Sequence, residues 1–325
     1  MKAFNAMTRM VMAVVLTAIA ASAGAQQDYP SKPIRLISPY AAGGGTSIAA
    51  RILAQKLTES WGQPVIVDNR PGANTIIGSE ALVKSAPDGY TILIAAVTHV
   101  LVPLMFKTPF DVIKDFAPVA TLTRGEFVLV IHPSLPANSL QELIALAKAR
   151  PGQLNYASTG AGSPQHLGGE LLNILAGVDM RHIPYKGSGP AATDLLGGQV
   201  QMFLSPPITV MQYIKSGRLK ALAITGEKRK PALPQVPTFT EAGLPGFEVR
   251  SWYGIFAPAA TPRPIIDKMS TEIGRIVALP DVIEQFVNLG VEPLISTPEQ
   301  FAAMVKADRD RYAKIVKDAK IKLEY

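Results

Sequence analysis

The chain has 325 residues, no cysteine, and 32 Lys plus Arg against 25 Asp plus Glu. Without a thiol, disulfides, cysteine ligation and lipid attachment at a cysteine are excluded. The mild basic excess is neither gathered into a stripe nor interleaved with aromatics, which argues against nucleic acid and leaves a weak general attraction for small anions.

At the N-terminus, Lys2 and Arg9 flank a short polar start, and Met10 to Ala21 is small and apolar apart from Thr17. Ala23-Gly24-Ala25 then supplies the Ala-x-Ala pattern of a signal-peptidase site, so residues 1–25 are expected to be a signal peptide cleaved after Ala25. The alternative is an uncleaved anchor, but an apolar core of about a dozen residues falls short of the ~20 needed to span a bilayer. A protein exported to a bacterial periplasm is the expectation. Cleavage leaves 300 residues with 30 basic and 25 acidic side chains, more than one core usually organises and enough for two lobes.

Along the rest of the chain, strand-like and helix-like runs alternate, the pattern of an α/β protein with largely parallel sheets. Strands are predicted at Ile34–Ser38, Val65–Val67, Thr91–Ala95, Phe127–Ile131, Gln153–Ala157, Val200–Leu204 and Ala221–Thr225. Helices are predicted at Ile48–Ser60, Ile76–Ser85, Leu140–Ala149, Gln165–Leu175, Ala191–Leu196 and Ile208–Ser216. The 26 Gly and 27 Pro fall mostly between these elements, as ordered punctuation.

Two of the strand-to-helix connections are unusual. Tyr40, Ala41, Ala42, Gly43, Gly44, Gly45, Thr46 and Ser47 form the first, and Ser158, Thr159, Gly160, Ala161, Gly162 and Ser163 the second, ahead of Pro164. Glycines let the backbone approach a ligand, and the following helix presents free N–H groups and the positive end of its dipole. Each reads as an anion cradle, with an ordinary tight connector as the competing reading. Two cradles point to a carboxylate held between two lobes.

Catalytic motifs are missing. Gly45 is followed by Thr46 rather than Gly-Lys-Ser/Thr, so there is no Walker loop. Gly43 and Gly45, with Asp68 downstream, match part of a dinucleotide fingerprint, but Ile48 stands at the third glycine. No Gly-x-Ser-x-Gly elbow surrounds Ser158, Ser163, Ser188 or Ser205, and His99, His132, His166 and His182 lack metal-ligand spacing. Neither a cofactor nor a metal is expected.

A series of separate words along the chain carries a resemblance. Among them are Tyr29-Pro30-Ser31-Lys32-Pro33, the Gly43–Thr46 loop with Arg51, Asn69-Arg70-Pro71-Gly72-Ala73, Ala86-Pro87-Asp88-Gly89-Tyr90, Pro184-Tyr185-Lys186-Gly187 and Asp194-Leu195-Leu196-Gly197-Gly198-Gln199. In these the chain resembles the Bug family, the extracytoplasmic solute receptors of tripartite tricarboxylate transporters. The resemblance implies an α/β, type II periplasmic-binding-protein-like fold of two lobes, with mixed, largely parallel sheets and a ligand cleft between them. It implies binding without chemistry, a small carboxylate ligand, a membrane permease as partner, and a monomer. Lobe 1 would comprise residues 26–125 plus 250–325 and lobe 2 residues 126–249, with a hinge near Arg124–Glu126 and Arg250–Tyr253.

Besides the two cradles, Thr98, His99, His166, Tyr185, Ser205 and Trp252 are candidate ligand contacts. His99 and His166 read equally well as packed residues. Where the family commonly has Thr-Asp and Asp-Asn, this chain has Thr46-Ser47 and Ser205-Pro206. Each change removes a carboxylate, which favours a dicarboxylate or aromatic carboxylate over an amino acid unless both positions face away from the ligand. A ligand-sensing subunit serving a signalling protein, and more remotely a periplasmic enzyme, are the alternatives to uptake.

Overall fold

The apolar runs expected as strands lie in two separate sheets in the computed structural model, which describes residues 29–247 and 249–319; the expected signal peptide and its cleavage site lie outside these residues. The described chain opens with β1 (Ile34–Ser38), α1 (Gly45–Trp61), β2 (Val65–Asn69), a 3-10 turn (Ala73–Thr75), α2 (Ile76–Val83), β3 (Thr91–Ala96), α3 (Thr98–Met105) and β4 (Phe116–Glu126). It continues through β5 (Val128–Ile131), α4 (Leu140–Ala149), β6 (Asn155–Ser158), α5 (Pro164–Ala176), β7 (Arg181–Pro184), α6 (Ser188–Leu196), β8 (Met202–Ser205), α7 (Pro207–Lys215) and β9 (Lys220–Ile224). The last elements are β10 (Arg250–Pro258), α8 (Arg263–Val277), α9 (Pro280–Asn288), β11 (Glu292–Pro293) and α10 (Pro298–Ala319).

One sheet has the order β11-β4-β10-β3-β1-β2 and the other β7-β6-β8-β5-β9. β1 runs parallel to β2 and β3, whereas β10 is antiparallel to β3 and β4. In the second sheet β6 is parallel to β7 and β8, and β5 is antiparallel to β8 and β9. The chain leaves the first sheet after β4 and returns on β10, with Arg250 paired to Glu126, so the two crossings lie side by side.

Both faces of each sheet are covered, which is why the central strands read as continuous apolar runs. Leu36, Ile92 and Ile94 pack on one face with α1 and α8, while Ile37, Leu93 and Ala95 face α3 and α10 on the other. The second sheet divides the same way, Leu129, Met202 and Leu204 to one side and Val128, Val130 and Phe203 to the other. This is the period-two alternation of a pleated strand.

Helix ends follow local chemistry. Ser139 caps α4 by accepting the Glu142 amide at 3.1 Å, and the Glu142 carboxylate reaches back to the Asn138 amide at 2.6 Å. Gly62 and Gly177 close α1 and α5 in the left-handed conformation.

The structure adds several elements to those expected and shifts the start of another. α1 starts at Gly45 rather than Ile48, so Gly45, Thr46 and Ser47 are its first turn. No strand is expected at β4, β7, β10 or β11 and no helix at α3, α8, α9 or α10; β4 mixes Pro118 with polar Thr121, Thr123 and Arg124, and β7 is an exposed edge strand of sequence Arg-His-Ile-Pro. Only pairing across the sheet makes strands of them.

Candidate ligand-binding cleft

β1 delivers the chain into Pro39–Gly44, and α1 carries it away. Gly43 has φ 84, the left-handed region that favours glycine, and its neighbour Gly44 is extended at φ −86. A Cβ on Gly45 would collide with the Tyr253 hydroxyl and with Ile208, so close approach rather than turn geometry requires glycine there.

Opposite, the second connection follows β6. Ser163 caps α5 by accepting the His166 amide at 3.3 Å, and Pro164 occupies the first helical turn, where its missing N–H costs nothing. Thr159 Oγ1 donates to Gln165 Oε1 at 3.0 Å. A third, similar feature is α6, whose start at Gly187, Ser188 and Gly189 presses against the first cradle. Ala41 N–H donates to the Lys186 carbonyl at 2.9 Å, and a Cβ on Gly44 would come within 3.2 Å of the Gly189 amide nitrogen.

Between these loops lies a narrow cavity of about 20 Å³. Five helix N-termini supply much of its wall: Gly44 to Thr46 of α1, Val97 and Thr98 of α3, Pro164 and Gln165 of α5, Ser188 of α6, and Pro206 before α7. None of the five helices has an acidic residue in its first turn. Tyr40, Ala96, Phe127, Thr159, Ser251 and Tyr253 complete the lining, which includes no Asp, Glu, Lys, Arg or His. Among the described residues the cavity is therefore polarised by backbone dipoles, hydroxyls and the Gln165 carboxamide. Burial pushes the Tyr40 phenol up to about 12, opposed by its hydrogen bond with Thr98, and raises Tyr253 further, so both remain neutral potential donors.

Tyr40 and Thr159 also line an adjoining cavity of about 170 Å³ with Gly160, Tyr185 and the Ala73–Thr75 turn. Ala73, Asn74 and Thr75 have φ of 43, 51 and 76, a run of left-handed non-glycine residues that costs roughly 1 to 3 kcal/mol each and persists only where surrounding contacts impose it. Asn74 lies against Gly160, where any side chain would collide with it.

Of the sequence candidates, Tyr40, Gly44, Gly45, Thr46, Thr98 and Thr159 line the main cavity, and Gly160 and Tyr185 the adjoining one. Ala41, Ala42 and Gly43 shape the first loop; Ala161, Gly162 and Ser163 shape the second. Ser47 and Ser205 are fully buried outside the lining, Ser205 Oγ donating to the Pro206 carbonyl at 3.1 Å. His99 is a core residue, with its ring against Phe110, Phe116 and Phe256 and its Nδ1 3.2 Å from Ser79 Oγ. His166 and Ser158 stand behind the second cradle, touching His182.

Trp252, expected close to the cleft, sits instead among Phe256 and Phe301 with its Nε1 donating to Asp308 at 2.8 Å. Its strand neighbours Ser251 and Tyr253 project to the other face of β10 and reach the cavity, and they were missed for that reason. Gln165 and Ser188 were missed too, although the Gly187-Ser188-Gly189 helix start carries the same local signature as the two cradles.

Residues 49–321 match the family described as the tripartite tricarboxylate transporter family receptor, TctC. The chain belongs to this family. BugT of Bordetella pertussis strain Tohama I is 39% identical over 324 residues, covering 98% of this chain and 99% of its own. The structure of the periplasmic binding protein BugD superposes with a TM-score of 0.87 at 35% identity, covering 90% of this chain and 99% of BugD. R. palustris Rpa4515, solved with adipate, gives a TM-score of 0.88 at 32% identity, with 90% and 99% coverage. The TctC receptor described here is thus a periplasmic solute-binding protein with the two-lobe fold of that class, and not an enzyme.

Proposed function

We propose that this receptor captures a small carboxylate without an ammonium group, a dicarboxylate or an aromatic carboxylate, and holds it between its lobes for delivery to a tripartite tricarboxylate-type permease. The observation that carries the reading is the convergence of five helix N-termini on a cavity whose lining has no charged side chain. Each partly buried N-terminus contributes about 0.3 to 2 kcal/mol toward an anion, and each hydrogen bond to a charged acceptor ~1.5 to 3 kcal/mol. Three or four such bonds, less the cost of closure, reach the ~8 kcal/mol of micromolar binding without an arginine. The absence of a lining carboxylate leaves an amino acid's ammonium group unpaired, and adipate in Rpa4515 supplies a precedent for the ligand class.

In this reading, lobe 1 is residues 26–125 plus 250–325, lobe 2 is residues 126–249, and the paired crossings at Arg124–Glu126 and Arg250–Tyr253 form the hinge. The mature protein begins after Ala25 and acts as a monomer. Native mass spectrometry of freshly purified protein, followed by a thermal-shift panel of adipate, shorter dicarboxylates, aromatic carboxylates and amino acids, tests the assignment. A co-purified acid and stabilisation by ammonium-free acids are expected. Stabilisation by an amino acid but not by its deaminated analogue would overturn the ligand class.

A further inference from the structure

Behind the second cradle, away from the main cavity, side chains of β6, β7 and α5 form a connected polar cluster. The His166 and His182 rings stack with centroids 3.9 Å apart and planes 18° from parallel, and His182 also stacks on Tyr156 at 5.3 Å. His182 Nε2 lies 2.5 Å from Ser158 Oγ, which accepts the Gly160 amide at 3.0 Å and donates to the Gly160 carbonyl at 3.1 Å. That set satisfies the hydroxyl completely when His182 carries its proton on Nε2. His166 Nδ1 accepts the Gly162 amide at 3.0 Å, a bond an imidazolium cannot make. Gly160 and Gly162 have φ of 126 and 76, so His166 directly, and His182 through Ser158, hold the positions whose conformation defines the loop.

We propose that His166 and His182 are positioning residues that hold the second cradle in its ligand-facing shape, and that the cradle keeps this shape only while His166 Nδ1 is unprotonated. The claim rests on the reading of that cradle as part of the ligand site. Two groups face the pair from the packed elements: Tyr156 from β6, and Glu170 from α5, which accepts the Tyr156 hydroxyl proton. Burial lowers both imidazoles, and burial together with the neighbouring His166 brings His182 down to about 3, while the Glu170 charge works the other way on His166. In the folded protein the neutral pair therefore persists below the ordinary histidine range near pH 6.5 and is lost only as pH falls through the lowered His166 value, while the stability it contributes is complete above 6.5 and declines below it.

The test uses amide resonances of Gly160 and Gly162 in the full mature protein, followed by NMR at pH values where circular dichroism shows the fold retained. In the parent, the Gly162 amide shifts in step with the His166 ring proton. His166→Ala accelerates Gly162 amide exchange about tenfold, and His166→Asn, whose side-chain oxygen can replace Nδ1, restores protection and abolishes the pH response. His182→Gln provides a second variant, expected to loosen Gly160 alone. Equal Gly162 protection in the parent and His166→Ala, or a pH response persisting in His166→Asn, would overturn the proposal. Binding of adipate that leaves both amides unmoved would instead remove the second cradle from the ligand site and leave the positioning role standing.

Discussion

At Gly44 the backbone is extended, so φ places no restriction on the residue, and the constraint comes from lobe 2, whose Gly189 amide nitrogen lies 3.2 Å from where a Cβ would stand. Gly44→Val should therefore leave circular dichroism unchanged while lowering affinity for its carboxylate at least about tenfold, because the added methyls hold the lobes apart. Unchanged affinity in calorimetry would take this loop out of the site. His99 illustrates the opposite case, a polar residue held in the core. Burial lowers its imidazole to about 3, so its contribution to stability is complete above pH 6.5 and is lost as pH falls toward 3. His99→Met, which fills the space without titrating, should flatten the fall in Tm between about pH 6.5 and 4 relative to the parent. An unchanged slope in calorimetric scans would show that protonation of His99 plays no part in acid unfolding.

At the scale of elements, the connection between β6 and α5 has to be both a tight turn and a contact surface. Thr159 is 6% exposed, lines both cavities, and holds Gln165 through its hydroxyl. Thr159→Val keeps the shape and removes the polar reach. Stopped-flow measurements should show faster ligand dissociation with little change in association, since only the closed state contains the contact. A slower association at unchanged dissociation would place Thr159 in the encounter step instead. α4 offers a control remote from the cavity: Ser139→Ala removes its cap and should cost about 1 kcal/mol, lowering Tm by roughly 2 to 4 °C. Ligand affinity should not move; if it does, lobe 2 stability and binding are coupled.

For the whole molecule, the side-by-side crossings of β4 and β10 support the proposed closure. In the proposed closure the two strands joined by Arg250–Glu126 pairing bend together, and each sheet carries apolar clusters on both faces, with Ile208 and Leu167 packing into the clusters of the first sheet. A ligand that binds the closed form about a hundredfold better than the open one shifts the equilibrium by ~2.7 kcal/mol. Small-angle scattering with and without adipate, or the acid found to co-purify, should show compaction of the parent protein and less compaction of Thr159→Val at the same concentration. A parent that binds without compacting would mean that one lobe alone holds the carboxylate.

The local features were legible in consecutive residues. Gly43 between an apolar strand and a helix, Pro164 after Ser163, and Ser139 three residues before Glu142 each encode a turn or helix start within one short segment, because φ preferences and cap hydrogen bonds act over three or four residues. The two glycine-rich helix starts were therefore readable without coordinates, and the family was readable as a resemblance. What tertiary structure decided is which of these features meet. Ser188 and Pro206 join Gly44 and Gln165 around one cavity, Tyr253 faces it while Trp252 turns away, and His99 enters an aromatic core. Each of these depends on strand pairing and packing between segments far apart in sequence, and no local preference contains that information.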